Sequence, residues 1–507
     1  MKKKLSFIVS FGIIGIGLIL LTSAGGQDRT TAAKETPMLI TIFQGAGIPQ
    51  PTGEKAIVPI AIKKALGVDV ENICSASGND YIQQLNTKLA AGDPPDIFGV
   101  SNREMLVDLV NKGIPLELTP YLPKMQDYVA LAKGAIKKGY IGDKLYAFTN
   151  YMNMHPSISM FIRTDWLKKL NLQMPTNLDE FRNVLIAFTT KDPKGTGQKD
   201  TYGYGGYVGD AVFGGAFNDI AGAFGIPAPG DTFIKDGKAV NSLDDPAMPQ
   251  FLAYLADLYK QGTIDPQSFS YTLMQCQKAG FQEKFGVMQQ AFFEIRKQEY
   301  IDQFKAVNPN AEWTEIPAIK GPGGAYNNPR DVAGGGSIRC IPASLAKTNP
   351  KKLDKVIELI NWLSGGEGLI LVQFGLKDVH HTRDASGKVV AITDMLLKEG
   401  GYLNTWQMGG RPEEEYYKIR WPTMRYDLDF NYNAPRITIY NSLLTPPKGY
   451  IAAEANTFIQ ENLVAFITGN KPLSQYPAFL NTLKTTFKYQ QYIDAAAQQM
   501  KQLGFVK

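Results

Sequence analysis

Cysteine and histidine are scarce in this chain, with three of each among 507 residues. Cys74, Cys276 and Cys340 are too few and too widely spaced for a disulfide scaffold or a zinc site. The apolar surroundings of Cys74 and Cys340 mark them as small buried hydrophobes in strands. His380 and His381 are adjacent, and neighbouring side chains in a strand point to opposite faces, so they do not readily share one metal ion. Blocks of like charge are also missing, as are low-complexity tracts and visible repeats. The formal net charge of +5 owes three units to Lys2, Lys3 and Lys4; without them 50 basic side chains face 48 acidic ones, a net of +2. That balance gives no footing for a nucleic-acid partner. The glycine-rich stretch at 321–329, GPGGAYNNP, lacks the lysine and following helix of a phosphate loop and reads as a surface turn.

The one long apolar run stands at the start. Three lysines precede residues Leu5 to Leu21, and Thr22-Ser23-Ala24 follows, which is the layout of a secretory signal cleaved after Ala24. An uncleaved anchor is the alternative, for which a 17-residue run is slightly short. Gly25 and Gly26 come next, so no thiol is at hand for lipid attachment. Residues 25–36 are polar and read as a flexible leader. What remains, about 480 residues, is enough for two or three domains with a large core.

Strands and helices alternate beyond the leader. Met38 to Phe43, Ile73 to Ala76 and Ile97 to Val100 read as strands. Between and after them, Tyr81, Leu85 and Leu89 and then Met105, Leu106, Leu109 and Val110 mark helices, the second closed by Gly113. This alternation predicts an α/β lobe with a largely parallel sheet, whose ligand lies beyond the carboxyl ends of the strands. Further on, Met160 to Arg163 reads as a strand entering a helix with Leu167 and Leu170 on its apolar side. Thr176 and Asp179 then suggest a cap, and Phe181, Val184, Leu185 and Phe188 recur at helical spacing. Residues 192–200 place oxygen-bearing side chains at alternating positions with two glycines, the layout of a calcium loop.

In this order the segments resemble the family 1 extracellular solute-binding proteins of ABC importers, particularly the long oligosaccharide branch associated with aldouronate and alginate. YIQQLNTKLAAGDPPDIFGVSN, FIRTDWLKKLNLQMPTNLDEFRNVLIAFTTKDPKGTGQKDTYG, DKLYAFTNYM, EWTEIPAIKGPGG and NPKKLDKVIELINWLSGGEGLILVQFGLKDVHHTRDASGKVV carry the resemblance, which extends over most of the chain. It implies a two-lobed periplasmic-binding-protein fold of type II, a clamshell with several hinge crossings. The first lobe is expected over 37–152 and 319–379, and the second over 153–318 and 380–507. The resemblance also supplies a cation-ligand set, here Asp192, Thr196, Gln198 and Asp200. Lys194 and Thr201 stand where oxygen ligands are wanted, so calcium binding is expected to be weak or absent.

Oligosaccharide sites combine aromatic faces with planar polar groups. Asn102 and Arg103 follow the strand ending at Val100, where maltose-type relatives place a sugar-binding pair, and Arg103 is suited to a uronate carboxylate. A solvated helix start is the alternative for Arg103. Asn150, Tyr151, Asn153 and His155 are polar and aromatic beside the crossing between lobes. Tyr204 and Tyr207 sit among glycines that permit close approach, which suits a sugar platform. Phe293, Glu294 and Arg296 follow a strand of the second lobe, and Trp406, Trp421 and Tyr432 lie in the late insertion.

The expected function is a monomeric, exported, non-enzymatic receptor that captures an oligosaccharide between two lobes and delivers it to the membrane permease subunits of an ABC transporter, in the periplasm or on the outer face of the membrane. It requires no cofactor. The alternatives are a sensor subunit presenting its ligand to a membrane kinase, and a secreted carbohydrate-active enzyme, for which no motif singles out a catalytic pair.

Overall fold

The computed structural model describes residues 38–76, 78–152, 157–208 and 216–507. The expected signal and leader, and Asn153 and His155, lie outside them. No helix among the described residues is long and apolar enough to cross a membrane.

The first lobe is built on a five-stranded sheet with the spatial order Asp69–Ser75, Leu39–Gly45, Ile97–Val100, Ile338–Cys340, Phe148–Thr149. The first three strands are parallel, and the last two run antiparallel to their neighbours along the chain of pairings. Ile338–Cys340 enters this sheet almost 190 residues after Phe148–Thr149 leaves it, so the chain departs for the second lobe and returns. The second lobe has a sheet ordered Trp313–Glu315, Ile158–Arg163, Phe285–Ala291, Tyr202–Gly205. A third sheet, ordered Lys238–Asn241, Thr232–Lys235, Arg436–Ile439, Asn327–Asp331, joins strands from well-separated parts of the chain.

Local sequence explains the helices that cover these sheets. Leu178–Thr190 buries Phe181, Val184, Leu185 and Phe188 on one face, each contributing about 1.5–3 kcal/mol by leaving water. Its cap is shifted by one residue from the expected Thr176 and Asp179. Asn177, in extended backbone, accepts from the amides of Asp179 and Glu180. Glu180 reaches back to the Thr176 amide and hydroxyl at 2.8 and 2.7 Å, so the reciprocal bond runs one position beyond a standard capping box.

Residues after 380, expected against the second lobe, divide between the two. Gln44 donates to the Thr405 carbonyl at 2.9 Å and Trp406 Nε1 donates to Gln50 Oε1 at 2.9 Å, fixing this stretch on the first lobe. Helices Ala452–Thr468, Tyr476–Thr486 and Tyr489–Gln502 instead share the second lobe's apolar core through Ile459 and Phe466, Phe479, and Tyr489 respectively. The physical reason is that Trp406 and Met408 are buried, and the hydrogen bonds at Thr405 and Trp406 tie this stretch to Gln44 and Gln50 beside the first strand.

At the crossing, three backbone segments lie side by side. Asn150 exchanges bonds with Ser337 and sends its amide nitrogen toward the Gln407 carbonyl. Tyr151 donates to the Gly409 carbonyl at 3.0 Å and accepts from Arg411 at 3.1 Å. A Cβ on Gly410, whose φ is +101°, would stand 2.3 Å from the Tyr151 amide nitrogen. Gly410→Ala is therefore expected to lower the melting temperature by about 2 °C or more. Gly401→Ala, in open space without a positive φ, should change it by less than about 1 °C; thermal denaturation of the two variants checks the contrast.

Candidate functional site

The crossing carries Tyr151 into a groove of about 650 Å³. Lys133 forms one part of its wall, and its ammonium lies 5.3 Å from the centre of the Tyr151 ring. Helix Glu413–Arg420 forms another, presenting Glu413, Glu414, Glu415, Lys418 and Ile419, while Arg425, Tyr432 and Lys388 complete the rim. The three glutamates occupy the first turn of their helix, where the backbone dipole favours negative charge.

That helix is set by what its other face buries. Arg411, just ahead of it, donates to Gln407 Oε1 at 3.1 Å and to the Tyr417 hydroxyl at 2.6 Å. Its guanidinium lies 4.5 and 4.9 Å from the ring centres of Tyr416 and Tyr417, with the Glu413 carboxylate at 3.8 Å. Tyr417 packs on Trp421 at 5.3 Å, and both reach Phe293, at 5.6 and 5.8 Å, from the end of the second lobe's strand Phe285–Ala291. Trp421 Nε1 is enclosed and has no acceptor among the described residues. Burial pushes the hydroxyls of Tyr151, Tyr417 and Tyr432 above the ordinary tyrosine range, and Glu413 adds to this at each, so all three remain protonated donors at neutral pH. The groove thus offers aromatic faces, hydroxyl donors and carboxylate acceptors, together with cations, which is the chemistry of a polyhydroxylated ligand.

Lys418 is committed to Glu414 at 2.6 Å and Asp429 at 2.8 Å. Lys133, Lys388 and Arg425 are exposed and make no ion pair among the described residues.

The other expected site residues are distributed elsewhere. Asn102 caps helix Arg103–Asn111 by accepting from the Met105 amide at 2.8 Å. Arg103 donates to Thr445 Oγ1 and to the Lys138 carbonyl, and burial pushes its guanidinium down to about 10. These two line a separate cavity of about 340 Å³ with Lys138, Ser337 and Ser442. Asn150 is buried and its side chain holds the crossing together.

Tyr204 and Tyr207 are core residues rather than an open platform. The Tyr204 ring stacks on Phe217 at 5.3 Å, and its hydroxyl donates to the Ala216 carbonyl. The glycines beside it serve packing: a Cβ on Gly203 would stand 2.6 Å from the Leu185 carbonyl oxygen, and one on Gly205 would stand 2.2 Å from the Phe285 ring. Trp406 is also buried, donating to Gln50. Glu294 receives the Gln277 amide at 3.4 Å, and burial raises its carboxyl. Arg296 is engaged by Asp427 at 2.7 Å, Glu315 at 3.2 Å and the Trp313 carbonyl at 2.8 Å. The groove also takes in Lys133, Glu413 and Arg425, which the sequence reading does not single out; the run EEEYYKIRW, with an aromatic pair four residues apart at Tyr417 and Trp421, is the signal the sequence offers for this stretch.

The residues at 192–200 do not fit a calcium ion. Asp192 accepts from the amides of Gly195, Thr196 and Gly197 at 2.8, 3.2 and 2.7 Å, and the Lys194 ammonium sits on Asp200 at 2.6 Å. Thr196 Oγ1 accepts from the Gln198 amide at 3.3 Å. Among the described residues no group of three or more His, Cys, Asp or Glu side chains is arranged to hold a metal.

The comparisons agree with this architecture. The model of the family described as bacterial extracellular solute-binding protein matches residues 48–368. Lipoprotein LipO of Bacillus subtilis is 24% identical over 369 residues, covering 71% of each chain. The polygalacturonan/rhamnogalacturonan-binding protein YtcQ of the same organism is 25% identical over 403 residues, 76% of this chain and 75% of that one. Among solved structures, the HMO binding ABC-transporter associated solute-binding protein of Bifidobacterium longum infantis superposes with a TM-score of 0.71 at 17% identity, covering 93% of this chain and 100% of that one.

Glu315 generates a pH prediction. Burial and the neighbouring Asp427 push its carboxyl from near 4.5 up to about 8, against the opposing charge of Arg296. A raised carboxyl pKa favours the fold below its unfolded value, and the contribution is lost as pH rises through the folded one. Stability from this residue therefore falls between about pH 4.5 and pH 8. Glu315→Gln is expected to melt with wild type at pH 5 and about 2 °C above it at pH 8; equal melting at both values would refute the assignment.

Proposed function

The chain belongs to the bacterial extracellular solute-binding proteins, and we propose that it captures an oligosaccharide in the groove at Tyr151 and hands it to the membrane permease of an ABC importer. The observation that carries this reading is the groove itself, where Tyr151 from the crossing meets Tyr432 and the glutamates of helix Glu413–Arg420. Behind that helix, Trp421 joins Tyr417 from the late insertion to Phe293 of the second lobe. A ligand seated there touches groups from several segments and stabilises one arrangement of the lobes over another. The names of two relatives support a sugar, since one binds polygalacturonan and rhamnogalacturonan and the other is HMO binding. Capture and delivery need no catalytic residue.

Within the sugars, the balance of uncommitted charge favours uronates, since three exposed cations face Glu415 as the exposed rim carboxylate without an ion pair among the described residues. Lys133, Lys388 and Arg425 carry no ion pair among the described residues, whereas Lys418 and Glu414 neutralise each other. An uncommitted cation rim attracts carboxylates, and Arg425 can hold one in a bidentate pair.

Calorimetry and thermal scans with neutral and uronate-containing oligosaccharides test both levels. Saturable binding with a raised melting temperature and no product is expected, together with an affinity loss of about tenfold or more in Trp421→Ala. The double variant Lys133→Met with Arg425→Met should weaken uronate binding by about tenfold while leaving neutral sugars within about twofold. Absence of binding to both classes, or release of shortened sugars, would overturn the receptor reading; equal weakening for both classes would overturn the uronate preference alone.

A further inference from the structure

The loop joining helix Leu178–Thr190 to strand Tyr202–Gly205 is used by neither the groove nor the crossing. Its sequence from 191 to 200, KDPKGTGQKD, spaces oxygens as a cation-binding loop does but carries three lysines against two aspartates. Asp192 lies at the turn with φ of 48°, and Gly195 and Gly197 follow with φ of 75° and 80°, so the backbone curls around one centre. Both carboxylate oxygens of Asp192 face into that curl and accept amides at 195, 196 and 197.

A positive charge is already there. Lys194 Nζ crosses the loop to Asp200 Oδ2 at 2.6 Å, and its side chain is only 17% exposed. A second ammonium approaches from helix Thr164–Lys169: Lys169 Nζ lies 2.2 Å from where a Cβ on Gly195 would stand. Desolvation pulls the Asp192 carboxyl up, but the bonds from Gly197, Thr196 and Gly195, with the Lys169 charge, outweigh it and hold the carboxyl below its ordinary range. A calcium ion takes about six to eight oxygens. Here it would have to expel Lys194 from Asp200, compete with three amides for the Asp192 oxygens, and sit beside Lys169.

We infer that Lys194 is a tethered substitute for a metal ion: its ammonium closes the 192–200 loop, and the protein's stability is indifferent to calcium. The consequence is a receptor that keeps this lobe ordered whatever the divalent-ion level outside the cell. The inference is independent of which ligand the groove takes.

The test uses the full chain after chelator treatment. Calorimetric titration of wild type with calcium chloride is expected to give no saturable heat, and its melting temperature should agree within about 1 °C with and without chelator. Lys194→Met removes the charge without adding an oxygen; a fall of about 1–2 °C and no calcium response are expected. The flanking Lys199→Met, exposed and outside the ion pair, should leave melting unchanged. Lys194→Asp supplies the missing oxygens and should acquire saturable calcium binding with a dissociation constant of about 10⁻⁴–10⁻³ M. Saturable calcium binding by wild type overturns the inference outright, whatever the variants do. So does a Lys194→Met protein that melts with wild type, or a folded Lys194→Asp protein that ignores calcium.

Discussion

The packing of three backbone segments at the crossing is the constraint on which the rest depends. Residues 150–152, 335–337 and 409–411 pair main chain to main chain, through Asn150 with Ser337, Met152 with Gly335, and Tyr151 with Gly409, Gly410 and Arg411. Side chains are excluded from between them: a Cβ on Gly336, whose φ is +111°, would stand 2.4 Å from the Asn150 carbonyl oxygen, just as one on Gly410 would strike Tyr151. Because each segment is already bonded to another, motion at this point is bending of a paired assembly rather than the swing of a free linker. The same bonds aim Tyr151 into the groove and place Arg411 where it holds Tyr416 and Tyr417.

Charged side chains fall into two populations with different tasks. The buried ones are tied to partners on other elements. Arg163 forks onto Asp165 at 2.7 Å while reaching Glu283 at 2.8 Å. Arg296 links Asp427 and Glu315, and Asp219 accepts from Gln289, Asn327 and the Asn328 amide. Removing Asp165 or Asp427 leaves its arginine short of a compensating charge in a largely dry site, at a cost of up to about 3–5 kcal/mol, whereas Glu315, held largely protonated, is no full charge partner to Arg296; these residues set the geometry. Lys133, Lys388 and Arg425 lie exposed at the groove, and exposed cations cost little to hold and little to redirect toward an anion.

This division explains which of the expected site residues line the groove and which are tied up in the fold. Arg296 has the chemistry of a ligand arginine, but its three partners come from two elements, strand Trp313–Glu315 and helix Arg425–Asn433, that only the fold brings together. Tyr204 and its glycines have the composition of a sugar platform, yet a glycine permits a close approach without specifying what approaches, and here Leu185 and Phe285 fill the space. Tyr151, singled out by its place at the crossing, does line the groove, while its neighbour Asn150 is spent on holding the crossing together. Lys133 and Arg425 were not, since an exposed cation on a helix is indistinguishable in sequence from any other solvated charge.

The sequence by itself determined the element types, the parallel start of the first sheet, the apolar face of Leu178–Thr190 and the family, because these rest on local periodicity and on the order of segments. It also showed in Lys194 a residue ill-suited to an oxygen-ligand position. Only the tertiary structure decided that this lysine closes its loop on Asp200, that residues 402–408 return to the first lobe, and that the groove assembles from positions as distant as 133, 151, 388 and 413–432. The physical reason is range: helix and strand patterns are set by neighbours within a few residues, whereas a binding surface is set by which distant backbones pack closely enough to exclude water, and no local pattern encodes that.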